Sequence, residues 1–196
     1  MSPSSPYQPK SSKPSPKTNE SFGLIFDISH EYMSESGSSF RKEVTVVHVV
    51  GEAYFSLLKV ILKRPILGLV EADRLDFTDQ RSNFYRIKRI KLNEIPKGSE
   101  SVLEEQLTKL VVSQEKQKFV NFFNQAKPIT IKLHQLKLLP GVGQKRMWDI
   151  IEARKKGEFE SFKDIEERTG LISVPVLVNR ILEELTSEEK YNLFTK

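Results

Sequence analysis

Leu133-His134-Gln135-Leu136-Lys137-Leu138-Leu139-Pro140-Gly141-Val142-Gly143-Gln144-Lys145-Arg146-Met147-Trp148-Asp149-Ile150-Ile151 is the stretch whose reading decides the fold. Leu133 and Leu136 are spaced for one face of a helix, and so are Met147, Ile150 and Ile151. Pro140 cannot continue the first helix, while Gly141 and Gly143 permit positive φ and leave their amides unshielded. The next helix therefore starts near Gly143. Two helices joined so tightly make a helix-hairpin-helix, with Leu139 and Val142 pointing inward to hold the tip.

A helix N-terminus offers unpaired N–H groups and a partial positive charge. A phosphate can rest against such amides where no side chain blocks it. Lys145 and Arg146 lie in the first helical turn, where the dipole prefers acids, and they make sense if a polyanion arrives. The candidate contact set is Leu139, Pro140, Gly141, Val142, Gly143, Gln144, Lys145 and Arg146. The competing explanation is that the glycines only let two helices pack closely. Trp148 could stack on a base, but a tryptophan beside a hydrophobic face reads as core.

Outward from the hairpin, the helical period runs from residue 98 to the end, and the first hairpin spans 130–156 with Thr130 as its cap. Ser101 with Glu104 has a capping-box pattern, followed by an apolar face of Leu103, Leu107, Leu110 and Val111. Phe119, Phe122, Phe123 and Ala126 predict a second helix, ended by Pro128. Residues 161–185 repeat the two-helix plan, from the Ser161 cap through the Gly170 stop to a helix opened by Ser173 and Pro175. The turn Leu171-Ile172-Ser173-Val174 lacks both tip glycines, so this hairpin is degenerate. Glu166, Glu167, Glu183 and Glu184 give it an acidic surface, and a last helix is expected from Glu188 to Phe194.

Residues 21–97 read as β, with strands expected at Phe22 to Ile28, Val44 to Val50, Tyr54 to Leu62, Ile66 to Val70 and Phe84 to Leu92. Five short strands without a long helix suggest a small closed, OB-like barrel. Arg81, Arg86, Lys88, Arg89 and Lys91 crowd the last strand, beside Phe84 and Tyr85, with no acid among them. Such a strand suits a groove that tracks phosphates and stacks bases. It equally suits an edge protected by charge against unwanted pairing. The three aspartates Asp73, Asp76 and Asp79 fit no calcium loop and read as a solvated turn. Residues 1–20, rich in Ser, Pro and Lys, read as a disordered tail.

The fold class is thus α+β, an OB-like barrel at 21–97 followed by an all-α tandem hairpin domain at 98–196. The chain has 196 residues, a formal net charge of +5 and no cysteine. The charge favours a polyanionic partner, and the missing cysteine excludes disulfides and thiolate metal sites. No apolar run approaches the ~18 residues that span a bilayer, and the N-terminus has no secretory core. A cytoplasmic protein with no membrane partner is expected.

Pro128-Ile129-Thr130-Ile131-Lys132-Leu133-His134-Gln135-Leu136, Leu139 to Gly143, Met147-Trp148 and Glu158-Phe159-Glu160-Ser161-Phe162-Lys163-Asp164-Ile165, together with Gly51-Glu52-Ala53-Tyr54-Phe55-Ser56-Leu57-Leu58 and Lys190-Tyr191-Asn192-Leu193-Phe194, form a recognisable set. Through them the sequence resembles an archaeal family, DUF655, over roughly 22–196. The resemblance implies RNA or DNA binding through an OB-like barrel and a helical domain, with RNA favoured, and it implies no assigned reaction. His30, His48 and His134 stand far apart, and no nucleophile elbow, phosphate loop or dinucleotide fingerprint appears. The expectation is a non-enzymatic nucleic-acid binder without a cofactor. The alternative is a scaffold that docks on a ribosomal or transcription complex.

Overall fold

The computed structural model describes residues 18–34, 41–78, 83–186 and 190–196. Most of the expected tail, Asp79 and Arg81 lie outside these residues.

Five strands form one antiparallel sheet: β1 (Phe22–Ser34), β2 (Arg41–Gly51), β3 (Leu57–Leu62), β4 (Arg74–Asp76) and β5 (Phe84–Arg89), in the order β4-β1-β2-β3-β5. The sheet curls into a half-barrel. β4 and β5 stand at its two ends and do not pair with each other, so the closed barrel expected from strand count is open along one seam. Ile66 and Leu69 pack onto the inner face, against a cluster that includes Val47, Val49, Leu58, Phe77 and Phe84. The run Ile66 to Val70, expected as a strand, is a loop instead. Gly68 turns it at φ +74°, and Asp73 Oδ2 accepts from the Val70 amide at 2.9 Å. Asp76 likewise accepts from the Thr78 amide at 2.7 Å, so two of the three aspartates close turns.

A bulge in β1 serves both faces of the sheet. The register passes from Ile25↔Val49 to Asp27↔His48, leaving Phe26 as the extra residue. Ile25 fills the inner cluster, while Phe26 joins the core shared with the helices. Glu20 shapes the turn after β2. Its buried carboxylate accepts from the amides of Ala53 (2.9 Å), Tyr54 (3.1 Å) and Ser56 (3.1 Å). Those amides are lost to any ladder, which is why β3 begins at Leu57 and not at Tyr54. A Cβ on Gly51 would lie 2.1 Å from the Glu20 carboxyl carbon, so the close approach requires glycine.

The helices are α1 (Glu100–Ser113), α2 (Asn121–Gln125), α3 (Gln144–Lys155), α4 (Phe162–Thr169) and α5 (Ser173–Thr186). A π-helical stretch, Glu115–Val120, links α1 to α2. The expected Ser101–Glu104 capping box does not form: the N-cap of α1 is Ser99, whose hydroxyl donates to Asp27 Oδ1 at 3.0 Å. Ser161 caps α4 as expected, accepting from the Asp164 amide at 3.1 Å. Phe26, Val50, Phe55 and Leu57 of the sheet region share one core with Leu107, Phe119, Phe123, Leu136, Ile150 and Ile181.

The last helix expected at Glu188 to Phe194 is absent from the described residues 190–196. That segment is held by Glu184, whose carboxylate accepts from the amides of Leu193 (2.7 Å), Phe194 (3.0 Å) and Thr195 (2.9 Å). Arg180, also buried, donates to Glu184 Oε1 at 2.9 Å and to the Tyr191 carbonyl at 2.7 Å. Glu184 therefore leaves the acidic surface assigned to it from sequence. Amides satisfied by a carboxylate need no helix.

Candidate nucleic-acid interface

The hairpin keeps its tip but loses most of its first helix. Gln135–Leu138 forms a single 3₁₀ turn, capped by His134, whose Nδ1 accepts from the Leu136 amide at 3.1 Å. Thr130 does not start a helix; its hydroxyl accepts from the amides of Lys132 (3.3 Å) and Leu133 (3.1 Å) in a local turn. Gln135 then braces the arm, its amide donating to the Lys127 carbonyl and its Oε1 accepting from the Lys127 amide.

At the tip, Leu139 and Val142 are buried, as their inward reading required. Gly141 has φ +72°, which a glycine accepts without strain. The Val142 amide donates to the Leu139 carbonyl at 3.1 Å, and the Met147 amide to the Gly143 carbonyl at 3.0 Å. The amides of Gly141, Gly143, Gln144 and Lys145 have no hydrogen bond among the described residues. A Cβ built on Gly141 or Gly143 meets nothing within 4 Å among the described residues. No described element packs on the glycines there, so they do not serve close helix packing at that point. Gln144, Lys145 and Arg146 are exposed, and neither cation has an ion-pair partner among the described residues.

Trp148 corrects the sequence reading. It is 49% exposed, one turn beyond Gln144 and Lys145 on α3, while the core takes Met147, Ile150 and Ala153. The signal was present in the spacing: Trp148 lies about 100° round the helix from Met147.

α3 is anchored behind the tip. Arg154 donates to the carbonyls of Phe123 and Ala126, both at 2.9 Å, and so closes the end of α2. Burial lowers its pKa. Asn124 and Phe159 exchange two bonds, at 3.0 and 2.8 Å. The second hairpin repeats the first more closely than the sequence suggested. Gly170, at φ +69°, precedes the buried Leu171 just as Gly141 precedes Val142.

The basic strand lies elsewhere, on an edge of the sheet, paired to β3 alone. Arg86, Lys88, Arg89 and Lys91 are all exposed. Lys88 is engaged by Glu94 at 2.7 Å, and Arg89 by the Lys196 carbonyl. Arg86 and Lys91 have no ion-pair partner among the described residues.

The histidines do not assemble. His48 is buried, with Nδ1 2.9 Å from Asp27 Oδ2. Burial pushes its pKa down, against the hydrogen bond and the charge of Asp27. Ser99 bonds to the same carboxylate, so Asp27 sits between hydroxyl and imidazole and ties α1 to the sheet. That order leaves the Ser99 hydroxyl bonded to the acid and not to the imidazole. His30 is exposed, and no group of three His, Asp or Glu among the described residues is placed to hold a metal. No described helix is long and apolar enough to cross a membrane.

The model of a family described as "Protein of unknown function (DUF655)" matches residues 19–196. An uncharacterized protein, MJ0038 of Methanocaldococcus jannaschii, is 35% identical over 192 residues, covering 96% of this chain and 84% of that one. The crystal structure of Af1531 from Archaeoglobus fulgidus, titled as family-model DUF655, superposes with a TM-score of 0.74 at 34% identity. It covers 90% of this chain and 100% of its own.

Proposed function

This chain belongs to the DUF655 family, and on the geometry of its hairpin we propose that it is a nucleic-acid-binding protein without catalytic activity. The tip grips the phosphate backbone through the open amides of Gly141, Gly143 and Gln144, with Lys145 and Arg146 supplying charge. One observation carries this most directly: among the described residues the tip amides have no hydrogen-bond partner and a Cβ on either glycine would meet nothing. The exposed Arg86 and Lys91 add a second basic surface on the sheet edge. Contacts of this kind read the backbone, so sequence preference is weak and salt sensitivity strong. RNA is the first probe, on the family resemblance, and DNA is the second. The five-stranded half-barrel supports reading the sheet as OB-like, a fold with a surface for oligonucleotides.

The test is fluorescence anisotropy with labelled RNA and DNA over a salt series. The double variant Lys145→Glu/Arg146→Glu should bind at least tenfold more weakly. Its log–log salt slope should be shallower by up to about 2, near one for each phosphate that is no longer neutralised. Affinity and slope equal to wild type would remove the tip from the interface.

A further inference from the structure

A pocket of about 150 Å³ lies at the end of the sheet where β1 passes to β2, bounded by Met33, Ser34, Lys42, Val44, Leu62, Lys63 and Tyr85. Its geometry follows from register. Met33 stands opposite Lys42, and Val44 lies two residues along β2 on the same face. Tyr85 enters through a bulge: pairing passes from Ile61↔Arg86 to Leu62↔Phe84, leaving Tyr85 with no residue opposite. A bulged residue is re-aimed from the ladder, and here the ring is 52% exposed at the pocket wall.

The lining sorts by chemistry. Met33, Val44 and Leu62 are apolar, Tyr85 offers a flat aromatic face, Ser34 offers a hydroxyl, and Lys42 and Lys63 bring positive charge. Among the described residues no acid lines the pocket, and Lys42 has no ion-pair partner. The volume is about half that of the smallest ordinary small-molecule pockets. It suits one flat ring and not a whole cofactor. An aromatic face with cations beside it is how single strands are held when no sequence is read.

We propose that this pocket takes one unpaired nucleobase of a single strand, stacked on Tyr85, with a neighbouring phosphate on Lys42. The site rests on the nucleic-acid reading and adds to it a strand state. A base in a duplex is stacked and paired, so only an unpaired base can enter a slot of this size. The pocket adds a stacking site, beside the first residues of β5, to the exposed cations farther along that strand.

The experiment measures equilibrium binding of the full chain to three probes: labelled oligouridine of about twelve nucleotides, a blunt RNA duplex of equal length, and uridine monophosphate as competitor. Wild type should prefer the single strand. Tyr85→Ala and Lys42→Glu should each weaken single-strand binding about tenfold and leave duplex binding unchanged, while Tyr85→Phe should bind as wild type. Both variant positions are accessible to solvent, and matching circular dichroism melts confirm the fold. Wild-type affinity in Tyr85→Ala and Lys42→Glu, with Lys145→Glu weakened, overturns the pocket and leaves the tip standing. Displacement of the strand by the mononucleotide at comparable concentration overturns the strand and assigns the pocket to free nucleotides. Failure of wild type to hold any probe overturns pocket and tip together.

Discussion

Ile172 holds the place in the second hairpin that Gly143 holds in the first. Each lies two residues after a left-handed glycine, one after a buried apolar side chain, and directly before the first residue of a helix. Gly143 leaves its corner bare, whereas Ile172 fills the same corner with a side chain 58% exposed. The two tips share a frame and differ at the position next to the helix start, where one carries a side chain and the other none.

Gly143 is therefore the clean probe of the tip. Its φ of −76° suits any residue, and a Cβ there meets nothing. Gly143→Val should melt within about 1 kcal/mol of wild type and lose at least tenfold in RNA affinity. Gly141→Val carries a left-handed φ and should cost stability as well, about 1–2 kcal/mol. Denaturant melts beside anisotropy titrations separate the two, and unchanged affinity in Gly143→Val would sink the amide grip.

Trp148 reports on the same corner without a label, since it is the single tryptophan of the chain. Added RNA should quench its emission and shield it from acrylamide. The Lys145→Glu/Arg146→Glu variant should show neither effect at the same RNA concentration. Emission indifferent to saturating RNA would place the strand elsewhere.

Glu184 should be the costliest surface-looking acid to remove. Glu184→Ala leaves the buried Arg180 with only the longer ion pair to Glu183, at 3.5 Å, and three backbone amides without an acceptor. The expected loss is about 3–5 kcal/mol by urea unfolding. Glu166→Ala, exposed on α4 with no ion-pair partner among the described residues, should cost under about 0.5 kcal/mol.

Acid should weaken the fold through His48. Burial holds its folded pKa below the ordinary 6.5, so the unfolded chain takes up the proton first as pH falls. This contribution is complete above 6.5 and is lost as pH drops from 6.5 through the lowered value. His134 acts in the same direction, through burial and then the charge of Arg154. The urea midpoint should therefore be lower at pH ~5.5 than at pH ~8, and His48→Gln should flatten the difference. A midpoint equal at both values, or one that rises in acid, contradicts it.

The legible parts of the sequence were those written locally. Pro140, Gly141 and Gly143 punctuate the chain, and the tip followed from them. The Ser161 cap and the Gly170 stop were equally local. What failed was decided by distant partners. Ser99 gives its hydroxyl to Asp27, 72 residues away, instead of capping its own helix. Residues 193–195 spend their amides on Glu184 instead of on a helical turn. The arm at Leu133 and Leu136 has a spacing of three, which a 3₁₀ turn meets as well as an α-helix. The open seam between β4 and β5 has no sequence signature, because strand count alone does not say whether a sheet closes.

The common core beneath sheet and helices carries a mechanical consequence. Phe26, Phe55 and Leu57 pack the curl of strands against Phe119 and Ile181 in one core, which opposes independent movement of the two ends of the molecule. A strand touching both would meet a fixed gap, like the jaws of a caliper. Oligonucleotides too short to bridge that gap would engage one jaw only, and affinity would step upward at the length that first reaches the other.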